Sequence, residues 1–438
     1  MWLKFYTNPL TEGTCSVKNK YFIATYGCQM NDYDSKVIDS LLSSEGYEKA
    51  STAEEADMLI VNGCSVREHA ETRALGFMSS QRKSSGKKKK VILAGCLARS
   101  LKELPSFIDM AVSPTEYLSL AELIKEGRSK TDLSSKGDYT GIDVEQGVTL
   151  LAPISKGCNN FCSYCIVPFL RGREESFSPD SIIRQIKNNM KSSTAEILLM
   201  GQNVNSYDYN GKKFTSLVKD VLAEFKDKRV RFITSHPKDL SLKLIEIMAD
   251  NKNLCSHLHL PLQSGSDRML SLMHRQYTYA GFRHLADEAR KILPSISLTT
   301  DIMTGLPEET DEDFNDTLKA MEDIRFNDAF MYKYSSRRFT MSRYLKQTDD
   351  EIGLSRLKIL IETQLRIRRE KAVAMVGQVL EVLAENESRR VKDEYFGRDS
   401  GNRSVIIKSR DVQIGRVYKV KINEVKGITL TGEKAEEK

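Results

Sequence analysis

Three cysteines lie close together in the stretch "GCNNFCSYC" at residues 157–165. Cys158, Cys162 and Cys165, here called the central triplet, are spaced C-x3-C-x2-C, and no fourth cysteine follows nearby. Thiolates are soft ligands that select zinc or iron–sulfur clusters. Three of them around a 4Fe-4S cube leave one iron without a protein ligand, and that iron can bind a small molecule. The alternative is a structural zinc site, for which Cys255 is the only downstream candidate as fourth ligand.

Three further cysteines end apolar, β-prone runs in the first hundred residues. The runs "YFIATYGC", "ADMLIVNGC" and "KKVILAGC" end at Cys28, Cys64 and Cys96, here called the N-terminal triplet. Helical patterns follow the first two runs, which predicts a βαβ array with parallel strands. Ligands bind beyond the carboxyl ends of such strands, where the three cysteines would converge. Cys64 also precedes a predicted helix, whose dipole would lower the pKa of its thiol. The alternative is three ordinary buried cysteines.

The elements that must position the central triplet follow a polar, Gly-rich linker at 135–147. The predicted strands cover 150–156, 196–200, 230–235, 256–260, 296–302 and 328–334. The predicted helices between them cover 179–190, 215–226, 239–249, 277–292 and 311–324. Six strand–helix units favour a (β/α)6 partial barrel over a closed eightfold barrel.

Polar residues follow several of these strands, where a barrel collects its chemistry. Residues 201–203 follow the second predicted strand, and Ser235 and His236 end the third. No carboxylate partner is evident for Ser235 and His236, so a ligand contact or loop geometry is favoured over a catalytic triad. His257 and His259 alternate on one face of a strand and are predicted to be packed, hydrogen-bonded histidines rather than metal ligands.

The last segment turns to short alternating strands between 376 and 432, with turns at Gly401 and Gly415. This pattern predicts a small β-barrel of OB-like character. Basic residues lie near Tyr395 and Phe396: Arg389, Arg390, Lys392, Arg398 and Arg403. Basic side chains interleaved with aromatic rings suit RNA backbone contact and base stacking. RNA contacts are therefore predicted for Arg389, Arg390 and Arg398, with an ordinary solvated surface as the alternative.

The length and composition of the 438-residue chain limit the number of domains, the compartment and the kind of partner. This length predicts two to four domains. The first fifteen residues hold no apolar signal region, and no run approaches the roughly 20 apolar residues of a membrane span, so a cytoplasmic protein with no membrane partner is predicted. Clustered cysteines in a reducing compartment hold metal more often than they form disulfides. The net charge of +6 favours a polyanionic partner only weakly.

Several longer motifs contain or follow these cysteines. They are "TYGCQMNDYDS", "GCSVREHAETR", "GCNNFCSYCIVPFLRGRE", "GQNVNSY", "TSHP" and "HLPLQSGSDRML". The set resembles the methylthiotransferases of the radical S-adenosylmethionine (SAM) superfamily, specifically the tRNA-modifying enzymes of the MiaB type, from about residue 21 to residue 432. The resemblance implies an α/β fold with an N-terminal parallel-sheet methylthiotransferase domain, a central (β/α)6 partial barrel and a C-terminal TRAM β-barrel. The implied bounds are a tail at 1–20, the methylthiotransferase domain at 21–134, a linker at 135–147, the radical SAM domain at 148–374 and the TRAM domain at 375–438.

The resemblance also implies cofactors and their ligands. The central triplet would hold a 4Fe-4S cluster whose open iron binds SAM, and the N-terminal triplet would hold a second 4Fe-4S cluster. Cofactor contacts carry over to Tyr164, Gly201, Gln202 and Ser235. Cys15 and Cys255 match no motif position and are interpreted as structural.

The implied reaction inserts sulfur at carbon 2 of an isopentenylated adenosine beside the tRNA anticodon and methylates that sulfur. This carbon carries no acidic proton, so the chemistry demands hydrogen abstraction, with one SAM as methyl source and another as radical source. The implied partners are the tRNA anticodon stem-loop, SAM, and electron and sulfur donors that the sequence does not identify. Two other functions stay open: methylthiolation of a ribosomal protein or a differently modified tRNA adenosine, and RNA binding by a non-catalytic iron–sulfur protein.

One stretch departs from the family pattern. Where these enzymes typically have Tyr-Ser-x-Arg-x-Gly-Thr after the last barrel strand, this chain has "YSSRRFT", which places Phe339 at the glycine. If the backbone has positive φ there, Phe339 is predicted to be strained by roughly 1 kcal/mol or more.

Overall fold

The structure is a computed structural model that describes residues 19–66, 68–84, 89–133, 142–388 and 391–435. Within these ranges the chain forms an N-terminal sheet, a central partial barrel and a closed C-terminal barrel, which confirms the predicted fold class. The domain bounds stay predictions. Cys15, Arg389 and Arg390 lie outside the described residues, as do most of the predicted tail and part of the predicted linker. No described helix is both long and apolar enough to cross a membrane.

The N-terminal sheet consists of parallel strands in the order β2-β1-β3-β4-β5. The strands are β1 Lys20–Tyr26, β2 Glu48–Lys49, β3 Met58–Gly63, β4 Lys90–Ala94 and β5 Met110–Val112. The helices are α1 Gln29–Ser44, α2 Glu68–Ser84, α3 Cys96–Ser100 and α4 Leu120–Glu126. β3 is buried along its whole length and β4 almost so, as expected for a parallel sheet covered on both faces. The three cysteine-bearing strands β1, β3 and β4 are adjacent, so their carboxyl ends share one edge.

The central part alternates strands and helices. The strands are β6 Thr149–Pro153, β7 Ser155–Lys156, β8 Glu175–Ser176, β9 Glu196–Met200, β10 Asp208–Tyr209, β11 Lys212–Lys213, β12 Arg229–Phe232, β13 His257–His259, β14 Ser297–Thr304 and β15 Asp328–Lys333. The helices are α5 Val167–Arg171, α6 Pro179–Asn189, α7 Phe214–Glu224, α8 Leu242–Asp250, α9 Asp267–Leu272, α10 Tyr279–Ile292, α11 Asp311–Ile324 and α12 Asp350–Val373.

Six of these strands are parallel and follow each other around a partial barrel. One sheet has the order β6-β9-β12 and the other β13-β14-β15, and a bridge between Val230 and Leu254 joins them. Among the described residues β15 does not pair with β6, so the wall stays open on that side. Each of the six predicted strands overlaps one of these. The third ends at Phe232, earlier than predicted, and Thr234 just beyond it has a φ of 67°.

The C-terminal strands close into a barrel in the order β16-β17-β18-β20-β19. They are β16 Val379–Glu387, β17 Glu394–Asp399, β18 Ser404–Lys408, β19 Val417–Lys426 and β20 Thr429–Lys434. Alternate side chains such as Val405, Ile407, Val420 and Ile422 point inward and form its small core. The predicted small β-barrel is therefore confirmed.

An ion-pair cluster docks this barrel on the amino ends of the central strands. Glu196, the first residue of β9, is fully buried and accepts hydrogen bonds from Arg231 (3.0 Å) and Arg398 (3.1 Å). Arg398 also donates to Glu385 at 2.9 Å, and Arg231 reaches the carbonyl oxygen of Asp399 at 3.1 Å. Two carboxylates therefore hold the guanidinium of Arg398, and its contact with RNA stays a prediction.

We expect Arg398→Ala to loosen the docked barrel. Removing one partner of a buried ion pair lowers the free energy of unfolding by roughly 3–5 kcal/mol. We expect a loss of about 3 kcal/mol or less here, because Arg231 still pairs with Glu196. Faster amide hydrogen exchange in β16 and β17 would report the loss. Arg410→Ala is the matched control, since the Arg410 side chain is 88% exposed. Equal exchange rates in the two variants would contradict a docking role for Arg398.

The same cluster predicts a pH dependence. Burial raises the pKa of Glu196, but the charges of Arg231 and Arg398 outweigh it and hold that pKa below the ordinary 4.5. A carboxyl with a depressed folded-state pKa stabilises the fold above its unfolded pKa and loses that contribution as the pH falls through the folded value. Exchange protection of β16 and β17 should therefore decline below about pH 4.5. The difference between the wild type and Arg398→Ala should shrink over the same range.

Candidate active site

A cavity of about 1640 Å³ joins the N-terminal sheet to the lumen of the partial barrel. Cys28, Cys64 and all of the central triplet line it. Cys96 lies behind this wall, packed against Ile166 and Leu170 from the segment that follows the central triplet. The structure therefore brings the two triplets, predicted separately from the sequence, to one cavity.

The turns after β1, β3 and β4 present the N-terminal triplet. Cys28 is the N-cap of α1, and its thiol shares a hydrogen bond with that of Cys64. This bond lowers the pKa of Cys28 and raises that of Cys64, while burial raises the pKa of Cys96. The prediction that a helix dipole lowers the pKa of Cys64 is wrong. Helix α2 begins only at Glu68, so the contact with Cys28 and burial dominate.

Gly27 and Gly95, which precede Cys28 and Cys96, let the cysteine-bearing turns lie against the buried side-chain amides of Asn31 and Asn62. A Cβ atom at Gly27 would lie 2.4 Å from Asn31 Oδ1, and one at Gly95, where φ is 91°, would lie 2.4 Å from Asn62 Oδ1. The Asn31 side chain donates to Asn62 Oδ1 at 2.9 Å, and the Asn62 side chain donates back to the Asn31 carbonyl at 2.9 Å. The amide pair thus fixes the cysteine-bearing turns relative to one another.

A buried ion pair links the two triplets. Arg171, at the end of α5, donates to Asp34 Oδ2 of α1 at 2.7 Å, and neither side chain is more than 7% exposed. Arg171 also hydrogen-bonds the Cys96 side chain. Burial acts to lower the pKa of Arg171, but the charges of Asp34 and of the neighbouring thiols outweigh it and raise that pKa. The sequence does not reveal this pair, because its members are 137 residues apart.

The central triplet lies in a loop held by backbone and arginine contacts. The Cys158 amide donates to the Gly172 carbonyl at 3.2 Å, and the Cys165 amide donates to the Cys162 carbonyl at 3.0 Å. Arg275 donates to Cys162 Sγ at 3.4 Å. Burial raises the pKa of Cys158 and raises that of Cys165 to about 12. Metal binding requires deprotonated thiols. A bound cationic centre would therefore stabilise the thiolates, which burial alone disfavours.

Arg275 is a second site residue that no sequence motif predicts. Its guanidinium is buried and donates to the Pro261 carbonyl at 3.1 Å and to the Tyr277 hydroxyl at 3.0 Å. Within the described part of the chain no carboxylate lies within ion-pair distance of it. Its positive charge therefore faces Cys162 and the hydroxyl of Tyr164, which lies 3.5 Å away.

Several buried polar atoms of residues that line the cavity near the predicted cofactor contacts have no hydrogen-bond partner among the described residues. Gln202 Oε1, Ser235 Oγ and His236 Nε2 are buried without a hydrogen-bond partner among the described residues. His236 Nδ1 accepts from the Lys238 amide at 3.2 Å, and burial lowers the His236 pKa to about 2, so the ring is neutral with Nε2–H directed outward. A Cβ atom at Gly201 would lie 2.6 Å from Ser155 Oγ. Buried polar atoms are normally paired, so this wall fits a polar ligand with several donors and acceptors, as SAM is.

The remaining candidate residues take structural positions. His257 Nε2 and His259 Nδ1 both pair with Thr299 Oγ1, at 2.8 and 3.0 Å, and burial holds the His257 pKa well below its usual value. These are the packed histidines that the strand pattern predicts. Cys255 lies 3.7 Å from Arg229 and 3.8 Å from Glu196, within the docking cluster, and does not line the cavity.

The donor sets fit clusters better than single ions. Within the described ranges, no three His, Cys, Asp or Glu side chains are placed to share one metal ion. The thiolate ligands of a 4Fe-4S cube bind different irons, so they stand farther apart than the ligands of one zinc ion. Among the described residues each set has three soft donors and no fourth cysteine, which is the donor set that could hold a cube with one open iron.

The loop after β15 closes one side of the cavity. Arg337 donates to Glu71 Oε2 of α2 at 3.2 Å, and Ser335 donates to Glu68 Oε2 at 3.0 Å. Phe339 has a φ of 72°, as anticipated from the glycine that it replaces. An aromatic residue in this region carries a strain of roughly 1 kcal/mol or more.

Comparisons with known families and solved structures agree with this architecture. Residues 20–110 match the Uncharacterized protein family UPF0004, residues 152–321 the Radical SAM superfamily, and residues 373–435 the TRAM domain. A cobalamin-binding radical SAM methyltransferase, TsrM from Kitasatospora setae, has a TM-score of 0.56 at 12% identity and covers 75% of this chain and 77% of its own. The cobalamin-dependent radical enzyme OxsB has a TM-score of 0.52 at 10% identity, covering 80% of this chain and 56% of its own. At such identities the likeness concerns the fold alone.

Closer likeness is found to proteins named tRNA-2-methylthio-N(6)-dimethylallyladenosine synthase. The one from Chlorobium limicola is 39% identical over 435 residues, which cover 96% of this chain and 98% of that protein. The one from Parabacteroides distasonis is 36% identical over 452 residues, which cover 98% of each chain. The radical SAM match implies SAM and a 4Fe-4S cluster as cofactors. With this likeness along nearly its whole length, the chain belongs to the family of the tRNA-2-methylthio-N(6)-dimethylallyladenosine synthases.

Proposed function

We propose that this chain adds a methylthio group to carbon 2 of an isopentenylated adenosine next to the anticodon of tRNA. The observation that carries the proposal is the single cavity onto which both cysteine triplets converge. One base held there could be reached from both triplets without leaving the cavity. The relatives' names describe this product, and the TRAM match supports an RNA partner.

The proposed cofactors are two 4Fe-4S clusters, one on each triplet, and SAM beside the central one. When bound, SAM and its cluster supply radical chemistry, which an unactivated aromatic C–H requires. Gln202, Ser235 and His236 would bind the polar groups of SAM with buried atoms that have no hydrogen-bond partner in the described part of the chain. Tyr164 packs against Met269 and Met273 on the same side of the cavity and would hold the cluster loop in place.

The N-terminal triplet would deliver sulfur. Arg171 joins Asp34 and Cys96 to the segment that follows the central triplet, so it fixes the distance between the two thiol sets. A fixed separation matters because reacting groups must be held in near-attack geometry for an efficient step. Arg171 is therefore a positioning residue in this proposal.

The proposed partners are the tRNA anticodon stem-loop, an electron donor and a sulfur donor, in the cytoplasm. A protein substrate would need to present an extended segment to the cavity, and a differently modified adenosine would need the same base site without the isopentenyl group. A purely RNA-binding iron–sulfur protein would have no need of an open-coordination triplet. The tRNA methylthiotransferase is the function best supported.

Nucleoside mass spectrometry tests the proposal. A bacterial strain that lacks its own enzyme accumulates isopentenyladenosine in tRNA, and expression of this chain should convert it to the 2-methylthio derivative. A Cys158→Ala chain expressed to the same level is the control. Unconverted tRNA, together with a methylthio mass increase on a ribosomal protein, would assign the chain to the alternative substrate.

A further inference from the structure

The strained residue Phe339 is the exposed member of a set of three aromatic rings. Its ring is 38% exposed and stacks on Phe169 of α5, with ring centroids 5.9 Å apart and an interplanar angle of 25°. Phe161, in the loop of the central triplet, meets the Phe169 ring edge-on at 6.0 Å. Phe161, Phe169 and Phe339 are here called the aromatic platform. The backbone strain at Phe339 thus accompanies a ring that extends a surface instead of filling a core.

Arginines flank the platform at both ends. The guanidinium carbon of Arg173 lies 4.6 Å from the centre of the Phe161 ring, and that of Arg338 lies 4.5 Å from the centre of the Phe339 ring. Nearby, Arg343 lies 5.4 Å from the ring of Tyr344, which is 77% exposed. Within the described residues none of these three arginines pairs with a carboxylate, whereas neighbouring Arg337 does. Their charges are therefore available to a polyanion.

The platform is fixed to the loop that carries the central triplet. The Ser342 amide donates to the Ser163 carbonyl at 2.9 Å, and the hydroxyls of Ser163 and Ser342 lie 2.8 Å apart. Ser163 lies between Cys162 and Cys165, and Arg337, two residues before Phe339, lines the cavity. A molecule lying on the platform would therefore be adjacent to the central triplet.

We propose that the aromatic platform and Arg173 and Arg338 bind the unpaired RNA bases that flank the target adenosine. Arg338 lies over the exposed Phe339 ring and Arg173 over Phe161, and neither pairs with a carboxylate among the described residues. Single-stranded bases stack on aromatic rings and on guanidinium planes, while their phosphates meet the positive charge. The proposal rests on the proposed function, since it assumes an RNA substrate. It goes further by naming a contact surface in the central domain and by giving a role to the phenylalanine that replaces the family's glycine.

Substitutions at Phe339 test stacking without endangering the fold. Phe339→Gly removes the ring and relieves the positive-φ strain, whereas Phe339→Leu keeps apolar bulk without a ring. Both should weaken binding of a fluorescent anticodon stem-loop RNA by roughly five-fold or more, the loss of one base–aromatic stack. Phe339→Tyr should retain the affinity. Thermal unfolding should place Phe339→Gly at or above the wild-type midpoint.

Salt dependence separates the rings from the arginines. Arg173→Ala and Arg338→Ala should each lower the slope of log affinity against log salt by about 0.7, the value for one phosphate contact to a single strand. Phe339→Gly should leave this slope unchanged. Tyr209→Ala is the matched control, because Tyr209 is a similarly exposed aromatic residue, at 36%, but lies in β10 and outside the platform.

The outcomes distinguish this inference from the proposed function. Unchanged RNA affinity in Phe339→Gly and Phe339→Leu, in a chain that methylthiolates tRNA, would overturn the platform and leave the function standing. A chain that forms no methylthio nucleoside would refute the function itself. Unchanged RNA affinity with lost electron uptake from a reduced flavoprotein would assign the surface to a protein partner and overturn the inference.

Discussion

A Cys158/Cys162/Cys165 triple alanine variant is expected to lose all SAM cleavage and all methylthiolation, together with about half of the protein's iron. Anaerobically reconstituted wild-type protein should hold about eight irons, since two four-iron clusters are proposed. The variant should keep about four, on the N-terminal triplet. The loss of activity should be complete because no other thiols line the barrel side of the cavity within the described residues.

Cys255→Ala is the matched control for that experiment. Cys255 is a buried thiol of the same domain, but it contacts Arg229 and Glu196 at the opposite end of the strands. Its replacement should leave iron content and SAM cleavage unchanged. Stoichiometric zinc without iron in the wild type would contradict the cluster assignment.

A Cys28/Cys64/Cys96 triple alanine variant should separate SAM cleavage from transfer of the methylthio group. It should still cleave SAM reductively to 5′-deoxyadenosine, because the central triplet and the unpartnered polar wall at Gln202 and Ser235 are untouched. It should form no methylthio nucleoside, because the proposed sulfur-delivering site is gone. The measurement is chromatography of both products from one reaction mixture.

Folding must be checked in this variant, because Cys96 lies against Ile166 and Leu170. Ser65→Ala, which alters the same sheet edge without removing a thiol, is the control for local disturbance. Methylthiolated tRNA from a folded triple variant would show that sulfur does not come from the N-terminal triplet.

Much of the fold could be predicted from periodicity. The runs before Cys64 and Cys96 are continuous apolar strands because both faces of a parallel sheet are covered, and this pattern is visible in any window of the sequence. The short helices α5 and α9 were not predicted, since each has too few residues to show a helical repeat. The end of the third barrel strand was also misplaced, because the apolar run continues past the point where the strand stops.

Site residues that belong to a sequence motif were predictable. Site residues that meet only because two domains pack together were not. The cysteines and the residues at 201–202 and 235 are marked by spacing and by their place after strands. The pair of Asp34 and Arg171 joins two domains, so neither residue shows its partner in the sequence. Arg398 resembles a surface base in the sequence because its pairing with Glu196 depends on the docked barrel, and Glu385 reaches it from the neighbouring strand β16.

The position of the docking cluster sets a minimum size for any substrate that touches both ends of the central domain. Glu196 begins β9 and Met200 ends it, and five strand residues span about 17 Å. The cavity extends to Arg398, Arg403 and Leu430 of the C-terminal barrel, so about that distance separates the barrel from the cysteine-bearing end of the cavity. Stacked nucleotides advance about 3.4 Å each along one strand, so roughly five or more are needed to cover it. A free nucleoside held beside the cysteines would therefore not reach the barrel residues that line the far end of the cavity, and only a longer RNA could gain affinity from both ends.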